Sequence, residues 1–72
     1  MNADKLIHMA NQIAQFFRAY PEQEAIAGIR EHLAAFWTSG MRATLRTCAE
    51  QEDKRLDPLV AAAIMAQQKE PT

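Results

Sequence analysis

Apolar residues recur along this chain at helical spacing, in stretches that proline, glycine and charge divide into four. From about Asp4 to Tyr20, Leu6, Ala10, Ile13 and Phe17 line the centre of one helical face. Ile7 and Ala14 flank that line on one side; Met9, Phe16 and Tyr20 flank it on the other. The apolar arc is about 180° wide, broader than the stripe of a helix that faces a single core. His8, Asn11, Gln12, Gln15 and Arg18 take the other half. Asn2 or Asp4 supplies the N-cap, and Pro21 stops the helix.

A second helix begins at Pro21, a favoured first-turn proline, with Glu22 and Glu24 complementing the positive end of its dipole. Ile26, Ile29, Leu33, Phe36 and Trp37 form its apolar face, with Gly28 and Ala35 on the opposite side. A glycine inside a helix costs about 1 kcal/mol relative to alanine, so Gly28 is expected to mark a close approach. Thr38-Ser39-Gly40 breaks the helix, and so short a connection predicts that helices two and three are neighbours. Helix three, from about Gly40 to Gln51, carries the narrow stripe Met41, Leu45 and Cys48. Glu50 to Arg55 holds five charges in six positions and reads as a solvated loop.

Asp57-Pro58 joins an N-cap to a first-turn proline and starts a fourth helix, with no polar residue from Leu59 to Ala66. A short helix apolar all round is either buried centrally or covered by a partner. The pattern predicts one all-α domain, a small bundle of three to four short helices. Its ordered core is expected over about 4–67, with a polar tail at 68–72.

Seventy-two residues leave room for one domain. Fourteen of the apolar residues are alanine and only twenty are large core-formers, so a partner surface is expected, on a copy of the chain or on another protein. A formal charge of −1 gives no bulk attraction to nucleic acid or to an anionic membrane. One cysteine excludes an internal disulfide and any four-cysteine metal or cluster site. No signal peptide is expected behind Met1, and the longest apolar run is far short of the roughly 20 residues of a membrane span. The chain reads as soluble and cytoplasmic.

No residue pattern points to catalysis. His8 lies on a polar face and reads as solvated; His32 borders an apolar face as a boundary residue. Cys48 falls on the apolar stripe of helix three and reads as a buried thiol with no histidine placed to activate it. A helix-turn-helix DNA reader, with Arg42 and Arg46 on its recognition helix, is the alternative class, but few further phosphate contacts would support it. Phe36-Trp37 followed by Met41-Arg42 is the densest aromatic and basic cluster, of the residue types found at interface hot spots. With the apolar fourth helix, this places the expected partner surface at Phe36, Trp37, Met41, Arg42, Leu59, Val60 and Ile64.

The order of motifs is itself informative. Lys5-Leu6, Met9-Ala10-Asn11-Gln12-Ile13-Ala14, Phe16-Phe17 and Pro21 resemble the opening of the small delta subunit of soluble NAD-dependent formate dehydrogenases. The similarity continues through Ala25, Gly28-Ile29, His32-Leu33, Phe36-Trp37, Met41-Arg42, Leu45 and Leu56-Asp57-Pro58-Leu59-Val60, covering about residues 5–64. The family usually has Asp-Pro between its Phe-Trp and Met-Arg pairs, where this chain has Thr38-Ser39-Gly40; Thr38 or Ser39 can still cap helix three.

The resemblance implies a bacterial cytoplasmic complex that oxidises formate with NAD. Molybdopterin, iron–sulfur clusters, flavin and NAD are then expected on larger subunits, with no cofactor and no metal bound by this chain. It implies a non-catalytic accessory subunit associated with assembly or stability of the complex. The wide apolar arc of helix one and the apolar fourth helix point to helix-face docking as its means. A homodimer of the isolated chain is compatible with that role.

Overall fold

The computed structural model describes residues 2–68, which form four α-helices. Helix α1 spans Ala3–Phe17, α2 Glu22–Phe36, α3 Ser39–Glu50 and α4 Pro58–Gln68. Their ends follow local chemistry. Asn2 caps α1, its side chain accepting from the Asp4 N–H at 2.7 Å. The helix stops at Phe17, three residues before the expected Tyr20, and the Tyr20 N–H closes a turn onto the Phe17 carbonyl. Pro21 sits one position earlier than expected, as the extended N-cap of α2 rather than its first helical residue.

Thr38 is the cap of α3, its hydroxyl accepting from the Met41 N–H at 3.1 Å. The Asp57 carboxylate receives the Leu59 N–H and its carbonyl the Ala61 N–H, with Pro58 the first residue of α4. Helix α4 continues through Gln68. The expected tail lies, from residue 69 onward, outside the described residues.

The end of α3 has an unexpected form. The Asp53 N–H reaches back to the Cys48 carbonyl and the Glu52 N–H to the Ala49 carbonyl. Those two bonds make a Schellman motif, which needs a left-handed residue, and Glu52 takes that place with φ 56°. Beyond Glu50 the charged segment is the expected solvated loop, exposed except at Asp53, and these bonds also tie it in place; Leu56 at its end is buried.

Leu6, Ile29, Leu33, Leu45, Val60 and Ile64 are fully buried and come from all four helices. The apolar α4 lies at the centre: α2 packs chiefly on it, and α3 also leans on it. This overturns the expected pairing of α2 with α3, which meet only weakly. A helix apolar on most sides buries more surface between its neighbours than the polar-faced α2 and α3 bury against each other. Helix α2 turns Ala25, Ile29 and Leu33 inward, and Trp37 just beyond its end. Phe36, expected on that face, points out: the backbone extends at Trp37 (φ −98°, ψ 145°) and swings the indole inward instead.

Candidate partner-docking groove

The half-cylinder of apolar residues on α1 is divided between two tasks. Leu6, Ile7, Ala10 and Ala14 enter the core, whereas Met9, Ile13 and Phe17 are only partly covered and Phe16 is exposed. Between α1 and α2 this leaves an open apolar groove of about 530 Å³. Met9, Gln12, Ile13, Phe16 and Phe17 form one side, and His32 and Trp37 the other.

Gly28 sets the position of the Phe17 ring. A Cβ on Gly28 would fall against the ring, 2.8 Å from Cδ1 and 3.0 Å from Cζ, so the expected close approach is that of Phe17 to the α2 backbone. Phe16 packs edge-on against Phe17 with ring centroids 5.0 Å apart, and Tyr20 leans on Phe17 at 5.9 Å. On the other side, the His32 ring lies 4.8 Å from that of Phe36. Aromatic rings thus edge both sides of the groove.

Of the seven residues expected at a partner surface, Phe36 is 74% exposed, its ring against that of His32 beside the groove. Met41, Arg42 and Leu59 are half-buried on other parts of the bundle. Trp37, Val60 and Ile64 are buried, because α4 spends its apolar faces on its own neighbours and Trp37 fills the space beyond Leu33. Phe16 and Tyr20, absent from that set, are exposed large hydrophobics. Their signal was the excess width of the α1 arc.

A polar seam on the opposite side of α1 locks the last helix in place. The Asn11 amide donates to the Arg55 carbonyl at 2.8 Å, and its oxygen accepts from the Asp57 N–H at 2.9 Å. Arg18 pairs with the Asp57 carboxylate. Arg55 grips Asp53 through two nitrogens, at 3.1 and 2.8 Å, and also pairs with Asp4. Hydrogen bonds from the Arg55 side chain and backbone lower the Asp53 pKa to about 2, and the Asp53 and Asp4 carboxylates raise that of Arg55.

The remaining candidates take quiet positions. His8 is exposed, His32 is half-buried at the groove and Cys48 is a buried free thiol. Arg42 and Arg46 form no ion pair among the described residues, and their Nε atoms are covered without an acceptor. No group of three or more His, Cys, Asp or Glu among the described residues could hold a metal ion.

The family described as NADH-dependent formate dehydrogenase delta subunit FdsD matches residues 5–64, a span reaching from α1 into α4. The chain belongs to this delta subunit family. No curated protein and no solved structure matches it. Two of the motifs that carry the delta-subunit resemblance meet in space: Asn11 of the first bonds Asp57 of the last. Thr38, part of the departure from the usual family pattern, supplies the cap of α3. Among the described residues no helix is long and apolar enough to cross a membrane.

Proposed function

We propose that this delta subunit is a non-catalytic accessory chain of a cytoplasmic NAD-dependent formate dehydrogenase, and that it docks on a larger subunit through the α1–α2 groove. The observation that carries this reading is an open apolar groove lined by exposed Phe16 and by His32, against which the exposed Phe36 ring packs, on a chain whose family is described as a subunit. Exposed contiguous aromatic surface costs solubility and is kept where a partner covers it. In this reading the molybdopterin, iron–sulfur, flavin and NAD sites belong to the larger subunits. The delta subunit contributes packing that helps their assembly or stability.

Tagged chain purified from its native host should bring down a molybdenum- or flavin-containing subunit. Phe36→Glu should lose that partner while keeping its helical circular dichroism, since the ring it replaces is exposed. Recovery of wild-type chain without any such subunit would overturn the proposal. The alternative DNA-reading class requires a second helix packed closely on a recognition helix, and the weak contact between α2 and α3 does not favour it.

A further inference from the structure

The apolar groove has a polar neighbour across α1. A second cleft, of about 320 Å³, lies between the other side of that helix and the turn that leads into α4. Gln12 lines both cavities, so one ridge of α1 separates them. A partner laid on the groove and continuing over that ridge meets the cleft next.

The cleft is cationic. Arg18, Lys54 and Arg55 line it against one carboxylate, Asp57, which already accepts from Arg18 and from the Leu59 N–H. Arg18 and Arg55 are held in ion pairs within the chain. His8, Gln15 and Lys54 also line the cleft; all three are exposed, with no hydrogen bond or ion pair among the described residues. From Lys5 to Arg18 the chain holds no Asp or Glu, although its net charge is −1. The positive sign beside the groove is therefore a local property, and carboxylates are its complement.

We infer that the larger subunit meets this chain through an acidic segment, its apolar side on the α1–α2 groove and its carboxylates over the cleft at His8, Gln15 and Lys54. The inference rests on the groove as the docking site and adds the chemistry of the partner. The apolar contact supplies burial, and the charges fix how the segment lies across α1.

Tagged chain purified with its complex from the native host, then washed at about 50–500 mM salt, tests this. The larger subunit should come away progressively as the salt rises. Lys54→Glu and His8→Glu should each lower the amount retained at about 150 mM salt by roughly threefold or more, with unchanged helical circular dichroism. Gln15→Lys should hold the larger subunit to higher salt, a gain that misfolding cannot mimic. Release curves unmoved by these three changes, with docking lost in Phe16→Glu, would overturn the acidic partner and leave groove docking standing. Full retention in Phe16→Glu would overturn the groove reading, and this inference with it.

Discussion

At the scale of single residues, two backbone positions run against ordinary preference, one with a visible compensation and one without. Gly28 sits inside α2, where alanine would be favoured by about 1 kcal/mol. The Phe17 ring occupies the space a Cβ needs, and Phe16 and Tyr20 brace that ring against moving aside. Gly28→Ala is therefore expected to destabilise the chain by about 1–2 kcal/mol in urea unfolding, because overpacking outweighs the gain in propensity. In the Phe17→Leu background the same change should become neutral or stabilising. Glu52 is the opposite case. It holds the left-handed position of the Schellman turn with a side chain that gains nothing visible there, apart from the backbone bonds any residue would make. Glu52→Gly should raise stability by about 1 kcal/mol, read as a higher denaturant midpoint.

At the scale of elements, the four helices were legible because their boundaries are local chemistry: Asn2, Pro21, Thr38 and Asp57-Pro58 stand at or beside the observed starts. Which helix touches which was not legible. The short Thr38-Ser39-Gly40 connection suggested that α2 and α3 pair, but α4 offered both more apolar surface and took the central position. The groove was half legible: the wide arc of α1 announced surplus apolar surface, while periodicity alone could not tell that Trp37 turns in and Phe36 out. The turn from 51 to 57 hid its order because charge-rich sequence resembles solvated loop, whereas Arg55, Asp53 and Asn11 tie it down through particular hydrogen bonds. Those ties have a pH signature. Asp53 titrates near 2 when folded against 3.8 ordinarily, so the unfolded chain binds more protons between those values. Its contribution is fully present above pH 3.8 and is lost as the pH falls through about 2. Asp53→Asn should flatten the loss of stability with acid in that window, measured as denaturant midpoint against pH.

At the scale of the whole molecule, the four helices close a core using residues from each, and the aromatic surplus collects on one side. Val60 and Ile64, which looked available to a partner while α4 was viewed alone, complete that core. The surface left over is the groove between α1 and α2, and membership of a subunit family gives it a reason to persist. The central claim is that this groove, rather than the outer face of α3, meets a larger formate dehydrogenase subunit. A photo-reactive phenylalanine analogue placed at Phe36, with Ala43 on the exposed side of α3 as the comparison, tests it inside host cells that make the whole complex. The account predicts a crosslink from position 36 to a larger subunit and none from position 43. No larger subunit attached at position 36, with the complex demonstrably present, would contradict it.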